Sequence, residues 1–272
     1  MYDERAVPEV AWTMLFSATS QPNRHTGSMS TPMSTSSPRA LRIDLNADLG
    51  EGVTDDAGLL AVVTSANVAC GFHAGDASVM RAVCEGAAAR GVIVGAQVSY
   101  LDREGFGRRA MDVEPERLTA WVAEQVAALD EAATVAGVEV AYLKPHGALY
   151  NRVVDDEEQA AAVLAGSGRL PVLGLPGSAL LELARRAGRV AVPEGFPDRA
   201  YTREGRLVPR TEPDALVEGA GQVAAHAVAL ADRGGVRTLC VHGDSPGAVA
   251  TAQAVRTALG VAGYDVRAWA HD

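Results

Sequence analysis

The amino-acid sequence predicts an α/β protein, a (β/α) barrel of about seven strands in the style of a TIM barrel. Three observations lead there. Short apolar, β-branched runs alternate with Ala-rich stretches of helical periodicity, a pattern that implies parallel strand pairing. The strand runs are apolar nearly throughout, so both faces are expected to be covered. Most of them end in polar or charged residues. A closed barrel brings all its strand ends to one mouth, whereas an open doubly wound sheet uses mainly the strands beside its switch point.

In chain order, the strand runs are 41–49, 66–72, 92–99, 140–143, 172–175, 190–192 and 238–241, with 264–270 as a candidate eighth. Helices are expected over 77–90, 115–136, 178–187, 214–233 and 246–259. Pro115 suits a first helical turn, and Gly91, Gly137 and Gly188 follow three helices where a left-handed cap is expected. One domain, 41–272, holds all of these elements. Residues 1–40 read differently. From Ser17 to Pro38 they are rich in Ser, Thr and Pro and cannot bury enough apolar surface to offset their ordering entropy. A disordered extension is expected, or a start assigned too early, since Met29 and Met33 lie just before the first strand.

The net charge of −10 argues against nucleic-acid or anionic-membrane partners, which need clustered positive charge. No apolar run of 18 residues is present. Cys70, Cys84 and Cys240 are odd in number and fit neither a disulfide framework nor a zinc knuckle, so a reducing, cytoplasmic setting is expected. Neither a Walker-type phosphate loop nor a Gly-x-Ser-x-Gly elbow occurs.

Five strings at strand ends carry the chemistry. In Asp44–Gly52, alternation points Asp44, Asn46 and Asp48 to one side, a costly arrangement unless they bind something; a polar cap on the barrel floor is the plainer reading. In Asn67–Asp76, His73 emerges past the strand and Asp76 could cap the next helix. Gln97 and Ser99 precede a Gly- and Arg-rich loop bearing Arg108 and Arg109, which could clamp a carboxylate or phosphate or simply be solvated. Lys144 is the only lysine among 24 basic residues and stands two residues before His146, on the same strand face. Mutual repulsion should lower both pKa values toward neutrality and suit them to acid–base work. His242 and Asp244 share a face before a helix expected to begin near Pro246. His73, His146 and His242, with Asp48 or Asp244, could hold a divalent ion if they meet in space, though the spacing specifies none.

These strings resemble, in order, the LamB/YcsF family: IDLNADLGEG at 43–52, SANVACGFHAGD at 65–76, DREGFGRR at 102–109, KPHGALYN at 144–151, FPDRAY at 196–201, LVPR at 207–210 and VHGD at 241–244. The resemblance runs from Leu41 to the C-terminus and implies a (β/α)7-type barrel related to glycoside-hydrolase and deacetylase barrels. Many members read Gly-Ala-His-Pro-Ser where this chain reads Gly95-Ala96-Gln97-Val98-Ser99, so an essential metal site that includes position 97 is not carried over. The resemblance implies the A subunit of a 5-oxoprolinase, which opens the lactam of 5-oxo-L-proline to L-glutamate with ATP (and Mg) as co-substrate and subunits B and C as partners. It further implies catalytic roles for Asp48, His73, Lys144, His146 and Asp244, and substrate contacts from Asn46, Asn67, Gln97, Arg108, Arg109, Arg199, Tyr201 and His242. Lys144 and His146 would move protons and stabilise the oxyanion, Asp48 and His73 would place the water, and Arg108 or Arg109 would hold the substrate carboxylate. The rival expectations are a stand-alone metal-dependent amide hydrolase or deacetylase, and a non-catalytic substrate-binding subunit.

Overall fold

The computed structural model describes residues 41–53, 55–244 and 247–271; the expectations for residues 1–40 and for a helix start at Pro246 lie outside them. The chain begins with β1 (Leu41–Leu49), α1 (Asp56–Leu60), β2 (Ser65–Ala69), α2 (Ala77–Ala88), β3 (Ile93–Val98) and α3 (Pro115–Ala136). It continues through β4 (Val140–Pro145), α4 (Gly147–Asp155), α5 (Glu157–Gly166), β5 (Val172–Gly174), α6 (Ala179–Arg186) and β6 (Ala191–Gly195). It closes with α7 (Ala220–Arg233), β7 (Thr238–Val241), α8 (Ala248–Val261) and β8 (Tyr264–Val266).

Every strand pairing among the described residues is parallel. β1 closes the ring: residues 46–49 pair with β2 and residues 44–47 pair with β7. The barrel therefore has seven strands. The candidate eighth strand forms but stays outside the ring, pairing only with Leu41–Ile43 at the start of β1.

Alternation along the strands separates two environments. Leu45, Ala47, Leu49, Val68, Val94, Ala96, Val98 and Leu143 join one apolar cluster with the surrounding helices. The intervening residues fill the barrel. At its N-terminal end Tyr142, Leu173, Val192 and Trp269 form a small apolar plug. Above the plug the filling is polar and largely hydrogen-bonded, as burial requires; Gln97 Oε1 and Glu194 Oε2 are among the atoms left without a partner. Asp44 accepts from the hydroxyls of Thr64 (2.6 Å), Ser65 (2.5 Å) and Thr238. Asn46 donates to Thr238 (2.6 Å) and Glu194 (3.0 Å), Asn67 donates to Asn46 (2.7 Å), and Tyr142 donates to Asn67 (2.7 Å).

Two expected outcomes follow from this interior. Burial outweighs the hydroxyl bonds on Asp44 and pushes its carboxyl from 3.8 up to about 6. The folded state thus favours the protonated form. That stabilisation is present in full below the unfolded value and is lost as pH rises through about 6, by about 3 kcal/mol. Unfolding of wild type and Asp44→Asn at pH 4 and pH 7 checks it: the wild type should lose that margin relative to the variant, and parallel profiles would contradict it. Gly95 faces the ring of Tyr142 so closely that an added Cβ would lie 2.1 Å from a ring carbon. Both neighbours are fully buried, so Gly95→Ala should cost about 3 kcal/mol in a urea titration.

The helix caps follow the sequence. Asp76 accepts from the amides of Ser78 and Val79, Pro115 opens α3, and Gly137 closes it in the left-handed conformation. Three differences stand out. β2 ends at Ala69 rather than running to Phe72, because Gly71 (φ 93°) turns the chain there. α4 and α5 replace a segment with no assigned structure; Asp156 separates them and caps the second through the amides of Glu158 and Gln159. α7 starts at Ala220 rather than Asp214, and the preceding segment is a loop pinned by the bridges Arg199–Leu216 and Tyr201–Leu207.

Candidate active site

A cavity of about 590 Å³ opens at the C-terminal end of the barrel. Asp48, Lys144 and His146 form its floor, His242 and Phe196 a wall, and Arg108, Arg199, Arg206 and Arg210 its rim. Lys144 is 2% exposed. Its Nζ lies 2.9 Å from Glu194 Oε1, 3.2 Å from Asp48 Oδ1 and 3.0 Å from Cys240 Sγ, and 5.2 Å from the centre of the Phe196 ring. Burial alone would neutralise this amine, but Asp48, then Cys240 and Glu194, outweigh it and hold its pKa well above the usual lysine range. Burial likewise pushes Asp48 up, yet Lys144 first, with His242 and His146, holds its carboxyl well below the usual range. The expected lowering of both members of the Lys144–His146 pair is therefore corrected. For His146 the direction holds but the cause is burial and then His73, not Lys144; for Lys144 the expectation fails, because two carboxylates face the ammonium.

Beside this floor stands a second group. The rings of His73 and His146 stack with centroids 4.0 Å apart, and Phe106 meets both edge-on at 5.7 Å. Glu51 Oε1 lies 3.3 Å from His73 Nε2 and 3.6 Å from His146 Nδ1. The amide of Gln97 donates to Glu51 (3.0 Å) and to His146 Nδ1 (2.9 Å). Burial, then the neighbouring His73, keeps the His146 pKa well below its usual value, and burial raises that of Glu51. The loop after β3 shapes this group. Asp102 accepts from the amides of Gly105 and Arg109, Phe106 takes a left-handed φ of 57°, and its carbonyl accepts from His146 Nε2 at 3.1 Å. Non-glycine residues seldom occupy that region, so the loop is held there by its surroundings. An added Cβ on Gly107 would stand 2.9 Å from His73 Cβ and 3.1 Å from His146 Cδ2, which requires glycine under the stacked rings. Gln125 of α3 anchors the end of β3 by bonding both backbone groups of Ser99.

The expected site residues fall into three sets. Asp48, His73, Gln97, Lys144 and His146 converge as above, and His242 joins the cavity wall, its Nδ1 2.8 Å from Asp198. Asn46 and Asn67 lie deeper, where they hold Glu194 and Asp48 rather than line the cavity. At the rim, Arg108 and Arg210 (3.5 Å) both pair with Asp244, which places that carboxylate among cations rather than beside the histidines. Arg199 touches the cavity, but its guanidinium is bonded to the carbonyls of Val208 and Ala215 within its own loop. The Tyr201 hydroxyl accepts from the Phe196 amide and stays off the cavity lining. Arg109 points elsewhere, exposed and paired with Asp102 (3.6 Å) and Glu104 (3.5 Å). Three contributors were not among the expected site residues: Glu51, Glu194 and Cys240. The first two stand out in the sequence as polar residues at strand ends, though that signal alone gives them no role, whereas Cys240 looks like any small buried hydrophobe. The ion set drawn from three histidines does not assemble: His242 groups with Asp48 and Cys240, His73 and His146 with Glu51.

Comparison with known proteins bears on the family and the fold. Residues 43–272 match the LamB/YcsF family. The chain is 58% identical over 249 residues to the 5-oxoprolinase A subunit of Streptomyces griseus, covering 84% of this chain and 100% of that one. It is 46% identical over 251 residues to a 5-oxoprolinase A subunit of Agrobacterium fabrum, covering 85% and 98%. Among solved structures, the lactam utilization protein from Thermus thermophilus superposes with a TM-score of 0.78 at 38% identity, over 84% of this chain and 100% of that one.

Proposed function

The chain belongs to the LamB/YcsF family, and on that premise we propose that it is the A subunit of a 5-oxoprolinase, opening the lactam of 5-oxo-L-proline to L-glutamate. The observation that carries this reading is the fixed ammonium of Lys144 at the floor of a cavity rimmed by arginines. A small anionic lactam presents two features, a carboxylate and a ring amide. Arg108 and Arg210 offer the carboxylate a cationic rim, in exchange for Asp244. Lys144 offers the amide oxygen a preorganised positive charge as negative charge develops there. Glu51, His73 and His146 present acceptor atoms beside the floor, suited to orient and deprotonate the attacking water. Lys144 itself donates hydrogen bonds and remains protonated.

An unstrained five-membered amide resists hydrolysis, so coupling to ATP with Mg supplies the driving force. With no Walker-type loop in this chain, we assign nucleotide handling to the assembly with subunits B and C, in the cytoplasm. Glutamate release from 5-oxoproline, followed with and without ATP by the chain alone and mixed with those subunits, tests the reading. ATP-dependent release in the mixture supports it; no release in any mixture overturns it. In that assay Arg108→Ala should raise KM about tenfold with kcat little changed, the pattern of binding lost equally from ground and transition states. A fall in kcat alone would show that Arg108 does not hold the carboxylate.

A further inference from the structure

The stacked histidines are oriented in a way that water activation alone does not explain. The carbonyl of Phe106 can only accept, so His146 carries its proton on Nε2 and turns the Nδ1 lone pair inward. His73 Nδ1 lies 3.1 Å from the hydroxyl of Ser99, which is itself held by the carbonyl of Tyr100 (2.8 Å), and its Nε2 is turned inward to Glu51 (3.3 Å). His146 Nδ1 and His73 Nε2 thus converge on Glu51 Oε1, at 3.6 and 3.3 Å, and the three ligand atoms lie within 4.8 Å of one another. Each residue is at most 6% exposed. Imidazoles whose far nitrogens are fixed by outer hydrogen bonds, and whose near nitrogens converge with a carboxylate, are built as ligands for a cation.

Gln97 supplies the second observation. It is wholly buried, its Nε2 sits between Glu51 and His146, and its Oε1 has no hydrogen-bond partner. Rotating the amide by half a turn would place Oε1 among the other acceptors, an arrangement favourable only around a positive charge. We propose that Glu51 Oε1, His73 Nε2, His146 Nδ1 and Gln97 Oε1 together bind one divalent first-row transition ion. Two imidazole nitrogens with one carboxylate and one carboxamide oxygen suit a borderline ion such as Zn²⁺ or Co²⁺. The neighbouring set of Asp48, Cys240 and His242 is disfavoured, because the Lys144 ammonium already sits 3.2 Å from Asp48 and 3.0 Å from Cys240. An ion in the first set would lie beside the cavity floor, where it would acidify a bound water. The inference deepens the hydrolase reading and rests on it only for that last role.

The test is binding, read without substrate. The full chain, stripped with a chelator, is titrated with Zn²⁺ in a calorimeter and with Co²⁺ followed by visible absorption. One ion per chain at micromolar affinity or better, with the intense d–d bands of four-coordinate Co²⁺, is expected. Glu51→Gln should weaken binding by about a hundredfold, whereas Gln97→His, which trades a weak oxygen donor for an imidazole, should tighten it by about tenfold or more. The second variant predicts a gain, so misfolding of the first cannot decide the matter. No stoichiometric binding by the wild type overturns the site, as does binding that is indifferent to both substitutions and lost on His242→Ala. Either failure leaves oxoprolinase activity to be judged by glutamate release.

Discussion

Lys144→Met destabilises the protein by about 3–5 kcal/mol and lowers turnover by about 10²–10³. Removing the ammonium leaves Asp48 and Glu194, both almost wholly buried, facing each other's charge without a counterion. The stability loss and the activity loss have different origins and can be separated. In the double variant Lys144→Met/Glu194→Gln, the remaining carboxylate of Asp48 keeps its bond from Asn67 (2.9 Å) and one buried negative charge is gone. Stability should recover by at least half, read by urea unfolding, while turnover stays low because nothing then stabilises the oxyanion. A double variant as unstable as the single one would show that the ion triad is not what burial of Lys144 costs.

Glu51→Gln lowers kcat by about 10²–10⁴ with little change in KM for 5-oxoproline. Glu51 is the one carboxylate placed between both histidines, and it is buried beside the floor rather than on the cavity lining. Its loss therefore touches the acceptor group and not substrate contacts. Steady-state kinetics in the presence of ATP and the partner subunits reads the split. A variant with unchanged kcat and raised KM would move Glu51 from the chemistry to substrate binding.

The barrel was legible because its signals are local. Strand runs are short and rich in buried apolar residues, Pro115 and Gly137 mark the two ends of α3, and Asp76 caps α2. The strand ends named the floor as well, since Asp48, Lys144 and His146 follow from period-two alternation in β1 and β4. What alternation does not carry is partnership across the barrel. Lys144 is 50 residues from Glu194 and 96 from Asp48 in sequence but 2.9 and 3.2 Å from them in space, and those contacts reveal that the lysine is held charged. Local repulsion from a nearby histidine is the weaker interaction there. The short helix α5 went unseen because its Ala and Val residues lack a clear apolar stripe, so tertiary packing against α3 and α6 defines it. Arg108 and Arg109 are adjacent and chemically identical; the left-handed Phe106–Gly107 turn sends one to Asp244 at the cavity and the other to Asp102. No sequence rule distinguishes them.

The most direct test of the fixed ammonium as the site's electrophile compares glutamate release from 5-oxoproline by the wild type and by Lys144→Met/Glu194→Gln. Both are mixed with subunits B and C and ATP. Release by the wild type, with about a hundredfold less from a double variant that unfolds cooperatively in urea, is the predicted result. Equal release from both proteins would show that Lys144 holds the barrel together and takes no part in opening the lactam.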